Sequence, residues 1–258
     1  MLKITGNDVH VEGLRLLGTA GSANVNAIGV FGSGATNTDP TYVTGVRIDN
    51  NEITSSLQNG VYLKYAKDFS ITNNRIHNLD YAGILALSSV SGTVTGNNIR
   101  SVIATPGPNR NAFGVALTRA SNTDLKGDPR TSDVVVANNV VQDVPEWEAF
   151  DTHCGQRITF HGNVATGAKI GINVGFCAIS DTMPTNAPID VSVVGNVLDS
   201  ASAPAPWFGI SFVGQNITIG SVTDENATGL IAGNIVKGYG DPNNIASGGF
   251  SRGLPKAS

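Results

Sequence analysis

The stretch WEAFDTHCGQ, residues 147–156, holds two carboxylates, an imidazole, a thiol and an indole, in a chain with only four histidines and two cysteines. Asp151 and His153 are two residues apart, so on an extended strand they point to the same side. There a carboxylate can orient an imidazole and hold its proton, or the pair can act as base and acid on either side of one carbon. Histidine titrates near neutral pH and suits either role. Glu148 supplies a second carboxylate, and Trp147 an indole face for stacking. The same residues could also form a solvated polar patch that only satisfies strand edges, so the elements that position them decide.

Those elements repeat. The pattern apolar, x, apolar, x, Gly or Asn, Asn, x, apolar runs through Val46-Ile48-Asn50-Asn51-Ile53 and Phe69-Ile71-Asn73-Asn74-Ile76. It returns around Asn97, Asn139, Asn163, Asn196 and Asn234, and Leu2-Ile4-Gly6-Asn7-Val9 fits the same template. A second pattern, Gly-apolar-x-apolar, fills the other half of each turn at Gly29, Gly60, Gly83, Gly114, Ala149, Gly171 and Gly209. Period-2 alternation broken by Gly and Asn predicts short strands and tight turns. A fixed register of roughly 22–24 residues predicts stacked coils. The expected fold is all-β: one parallel β-helix domain over 1–237, then a Gly/Pro/Ser-rich tail or cap over 238–258. A β-sandwich alternates similarly but does not explain the recurring Asn.

Aligning the turns sets Phe150 with Val61, Ile84, Val115 and Ile172, facing inward. Asp151 aligns with Tyr62, Leu85, Ala116 and Asn173 on the outer face, and His153 aligns with Lys64, Leu87, Thr118 and Gly175. Asn173 and Arg119 then lie about one coil, roughly 4.8 Å, to either side, and Tyr62 and Lys64 about three coils off. Candidate catalytic residues are Asp151, His153 and Glu148. Candidate substrate contacts are Tyr62, Lys64, Arg119, Trp147 and Asn173, with Trp207 read as packing at a coil edge. Cys154 and Cys177 sit on adjacent coils and could be a disulfide or two buried thiols. With His153 they lack a fourth metal ligand, so no metal and no cofactor are expected. Asp124, Asp128 and Asp133 share one loop, as surface acids commonly do.

The repeat resembles the right-handed parallel β-helix superfamily of pectate lyases, alginate epimerases and phage tailspikes. AFDTHC is similar to the aromatic-acid-Pro-His run of alginate C5-epimerases, with Thr152 in place of the proline and Glu148 in the slot of a tyrosine. By that resemblance Asp151 and His153 take the acid–base roles. The tailspike likeness implies a homotrimer on a virion or cell surface.

A net charge of −4 argues against a nucleic-acid surface. Apolar runs are too short for membrane insertion, and the start MLKITGND lacks signal-peptide features. Because the repeat begins at residue 2, its N-terminal end is expected to be covered by another domain or chain. The leading expectation is an extracellular or virion-surface protein that binds an anionic, uronate-type or capsular polysaccharide and cleaves or epimerises it. The rival is a non-catalytic structural or receptor-binding β-helix, such as an adhesin or tail fibre. Convergence of Asp151, His153 and Glu148 on one groove, with His153 accessible, separates the two.

Overall fold

A computed structural model of the chain describes residues 1–18, 25–33, 40–104, 111–120, 128–177, 187–201, 203, 206–214, 218–219, 222–223, 226–240 and 250–252. Among them no helix is long and apolar enough to cross a membrane. The described chain winds through two large parallel sheets, of thirteen and nine strands, with a small antiparallel pair beside them. In the first sheet Glu52–Lys64, Arg75–Leu87, Val140–His153 and Val164–Gly175 are the long members. Phe113–Thr118 lies between the second and third of these. The second sheet stacks Arg47–Asp49, Ala66–Thr72, Val90–Thr95, Ser132–Ala137, Gln156–His161 and Val191–Val194. The architecture is a parallel β-helix.

The core lies inside the coils, in columns one coil apart. Ile28, Val61, Ile84, Val115, Phe150, Ile172 and Ile210 pair in register and are fully buried. Ile48, Ile71, Val94, Val136, Phe160 and Val193 form the facing column, and the rings of Phe150 and Phe160 meet edge-on at 6.3 Å. Each such side chain contributes roughly 1.5–3 kcal/mol by leaving water. At the bend before this column the repeated glycine is a packing requirement. A Cβ on Gly83 would lie 2.6 Å from both the Gly114 carbonyl and Ile99 Cγ2.

The Asn-Asn turns divide two tasks. The first position is left-handed, with φ 53° at Asn50 and 67° at Gly96, which only Asn, Asp or Gly adopts readily. The second Asn is buried and points along the helix axis. Asn51 donates its backbone N–H and Nδ2 to Asn74 Oδ1, both at 3.0 Å. Asn74, Asn97, Asn139, Asn163 and Asn196 repeat this toward the next coil, ending on Asn234. Each Nδ2 also caps a strand carbonyl, Val94 O for Asn139 at 2.8 Å.

Two repeat assignments are corrected at the N-terminal end. Leu2–Ile4 pairs with Ile28–Val30, so it belongs to the half-turn that the Gly-apolar pattern marks. Asn7 is exposed and outside the ladder, whose corresponding place is taken by Leu14, donating its N–H to Asn51. Gly29 pairs with Tyr62, not Gly60. At the other end, Phe250–Arg252 pairs in parallel with Phe208–Phe212, so strand pairing continues past the boundary read at 237.

The ladder gives the first prediction. Asn139→Ala takes the partner shown from the Asn97 backbone N–H and from the Val94 carbonyl, while Asn97 Nδ2 keeps the Ile71 carbonyl, and each buried unmet group costs about 1–3 kcal/mol. Thermal denaturation should show a loss of about 2 kcal/mol or more, whereas Asn7→Ala should change stability by less than about 1 kcal/mol. Equal effects would contradict the placement of Asn7 outside the ladder.

Candidate functional site

The outer face of the first sheet carries Tyr62, Leu85, Ala116, Asp151, Asn173 and Ser211 as direct lateral neighbours. Beside that row run Lys64, Leu87 and Thr118, then His153 against Gly175. A third row holds Ala82, Phe113, Glu148, Ile170 and Phe208. A pocket of about 590 Å³ opens over these rows. Asp151, His153, Asn173 and Arg119 line it together with Tyr81, Leu85, Leu87 and Phe113.

Asp151 is the hub. Its Oδ2 lies 2.9 Å from His153 Nδ1, and its Oδ1 accepts from Asn173 Nδ2 at 3.0 Å. A carboxylate only accepts, so Nδ1 carries the proton and Nε2 of the neutral ring is left as the base. Asp151 is 1% exposed, whereas the His153 side chain is 36% exposed. The outward patch expected from strand alternation therefore exists, but Asp151 is not solvated within it. It is enclosed by its partners, and the imidazole is the group a ligand can reach. Burial of His153 opposes its charged form, but the Asp151 charge and hydrogen bond outweigh that and raise its pKa above the usual value.

Glu148 does not join the pocket lining. It is 2% exposed, and burial, then the charge of Asp151, raise its pKa well above the carboxylate range. Its Oε2 is buried with no hydrogen-bond partner, which suits the uncharged acid form. The same surroundings, burial first and then Asp151 and Glu148, raise the pKa of the Tyr81 phenol.

The remaining candidates divide. Tyr62 packs on Phe31 at 5.4 Å and Lys64 lies over the Tyr65 ring at 5.2 Å, both outside the pocket. Trp147 is also outside it, edge-on to Trp207 at 5.8 Å. Tyr81 and Phe113 were not anticipated. They lie one or two residues before the Gly-apolar copies at Gly114 and Gly83, a position the alternation pattern did not include. Gly175 leaves the space that His153 uses. A Cβ there would press on Asn173 Nδ2 at 3.1 Å and His153 Cδ2 at 3.2 Å.

Cys154 and Cys177 are joined in a disulfide, with Cα atoms 5.2 Å apart. It ties the turn after His153 to a wall of the pocket and removes both thiols as metal ligands. Asp128 accepts from the Tyr65 hydroxyl, and Asp133 accepts from Arg157 at 2.5 and 2.7 Å, so these acids are engaged. Asp124 lies outside the described residues.

Two predictions follow from the buried groups. Glu148 holds its proton more tightly in the fold than in the unfolded chain, so its contribution is favourable at acid pH. That contribution falls as pH rises from the usual glutamate range toward its raised value. Glu148→Gln, which keeps the shape and removes the titration, should raise the melting temperature at pH 8 by more than at pH 5. A gain of roughly 2–4 °C is expected for each kcal/mol relieved. Opening the disulfide by Cys177→Ser should cost roughly 2–4 kcal/mol in chemical denaturation.

The comparisons with known proteins concern the fold. No curated protein sequence matches the chain. Among solved structures, PfbA, a surface adhesin of Streptococcus pneumoniae, aligns with a TM-score of 0.53 at 15% identity, over 92% of this chain and 59% of that one. This chain thus spans less than two thirds of the adhesin. An alginate lyase from Paenibacillus sp. str. FPU-7 aligns at TM-score 0.45 and 14% identity, over 94% and 80%. The mannuronan C-5 epimerase AlgE6 A-module of Azotobacter vinelandii aligns at TM-score 0.28 and 14% identity, over 98% and 88%. The family described as "Right handed beta helix region" matches residues 4–198, three quarters of the length, a span that includes the ladder from Asn51 to Asn196 and the Asp151, His153 and Asn173 group. The chain belongs to the right-handed β-helix family.

Proposed function

We propose that this protein is an extracellular carbohydrate-active β-helix that removes a proton from a uronate residue of a polysaccharide held in the Asp151 pocket. The observation that supports this reading most directly is the hydrogen-bonded series Asn173–Asp151–His153. It fixes the tautomer of an accessible imidazole in a pocket that also holds Arg119. Asp151 has a positioning role: it orients the ring and stabilises the imidazolium, as a buried carboxylate behind a histidine can.

The carboxylates argue against two-carboxylate hydrolysis. That chemistry needs two acids roughly 5–9.5 Å apart, on either side of the scissile bond. Glu148 and Asp151 instead lie three residues apart on one strand, and both are enclosed. Proton abstraction beside a carboxylate needs one base and a cation to neutralise the substrate anion, roles for His153 Nε2 and Arg119. In an elimination the C5–H electrons form the C4–C5 double bond, the C4–O bond breaks, and the leaving oxygen takes a proton. Tyr81 also lines the pocket, with burial keeping its phenol protonated, so it is the donor assigned to that step. Return of a proton to the opposite face of C5, without C–O cleavage, gives the epimer.

The second reading is a sugar-binding solenoid that performs no chemistry. It is favoured by the full set of partners around Asp151, which would serve equally as a rigid polar floor.

Incubation with uronate and capsular polysaccharides, followed by proton NMR of the anomeric region, detects cleavage, unsaturated ends and epimerised residues together. Activity should fall about 10²–10⁴-fold in His153→Gln. A base must be neutral, so activity should rise with pH through an inflection above the ordinary histidine value. Asp151→Asn should move that inflection down by removing the charge that holds it up. Binding without any spectral change across the panel would replace this reading with the non-catalytic one.

A further inference from the structure

Three residues beside the pocket form a second arrangement that the proton transfer does not use. Glu148, Ile170 and Phe208 are lateral neighbours, so the residues just before them, Trp147, Lys169 and Trp207, occupy three successive coils. The Trp207 N–H donates to the Lys169 carbonyl at 2.8 Å, which fixes the last two. Lys169 Nζ sits 3.8 Å from the centroid of Trp207 and 5.2 Å from that of Trp147. The two indoles stand at 63° to one another, so the ammonium rests in the angle between them.

This arrangement is open to ligand. Trp207 is 45% exposed, which is unusual for so large an apolar ring. Among the described residues no carboxylate lies within ion-pair distance of Lys169. The indole faces restrict the ammonium, so part of the side-chain entropy normally lost on binding an anion is already lost. Trp147 packs against the same outer apolar cluster, with Phe113 and Leu85, that forms a wall of the pocket. The surface is therefore continuous from His153 to Trp207.

Resting on the polysaccharide reading above, we infer that Trp147, Lys169 and Trp207 form an outlying subsite for a carboxylated sugar residue. Lys169 contacts the carboxylate and Trp207 stacks on the ring. Lys169 precedes Asn173 by four residues on one strand, roughly 13 Å at the rise of an extended chain, the scale of a few sugar units. The protein thus reads negative charge on the polymer at a residue other than the one that reacts.

The test is tryptophan fluorescence titration with length-matched short oligomers of a uronic acid and of glucose, in the otherwise inactive His153→Gln protein so that neither is consumed. Lys169→Gln should weaken binding of the uronate oligomer about five- to tenfold, a change near 1 kcal/mol. It should leave the glucose oligomer unchanged, and Lys169→Arg should restore most of the loss. Trp207→Ala should weaken both. Unchanged melting temperatures keep these effects separate from folding. Equal loss for both oligomers, or no loss for either, overturns the subsite while leaving the pocket chemistry standing. Failure of the unsubstituted Lys169 protein to bind either oligomer overturns the carbohydrate reading and the subsite with it.

Discussion

Parallel coils can stack only if the backbone groups facing the next coil are met, and the corners are where strand pairing stops meeting them. In this protein the buried asparagines meet them. Each Oδ1 accepts from the backbone and the side chain of the Asn on the neighbouring coil, and each Nδ2 returns a hydrogen bond to a strand carbonyl. An apolar side chain at these positions would take the partner from a buried backbone N–H and a strand carbonyl, at about 1–3 kcal/mol each. The ladder also sets register, since a coil displaced by one residue would lose both contacts and turn its core face outward.

Register in turn makes the site possible. Asp151, His153 and Asn173 meet because Asp151 and Asn173 are lateral neighbours on adjacent strands and His153 is two residues along on the same outer side. No loop has to find its place for these contacts to form. The coils supply the spacing, and the disulfide between Cys154 and Cys177 secures the turn where the strand of His153 ends.

The cluster also stores electrostatic cost. A buried carboxylate such as Asp151 is tolerated because His153 and Asn173 donate to it. A second carboxylate, Glu148, is tolerated beside it by keeping its proton. The result is a compact hydrogen-bonded group with Glu148 beside it, in a pocket that Tyr81, Leu85, Leu87 and Phe113 also line.

The repeat, the all-β class, the inward Phe150 column and the lateral alignment of Asp151 with Asn173 were all legible in the chain, because strand alternation and left-handed turns leave a local signature in residue type. The signature failed at the first coils, where Leu14 stands in the ladder place and Asn7 imitates it, since spacing alone cannot tell which half of a turn a short segment fills. It also did not carry the depth of Asp151 and Glu148, the grouping of Tyr81 with His153, or the seat of Lys169 between two indoles. Those depend on how neighbouring coils cover one another across sequence distances that alternation does not encode. Residue type and period determined which side chains face out; only the packing of coil against coil decided which of them are still reached by water.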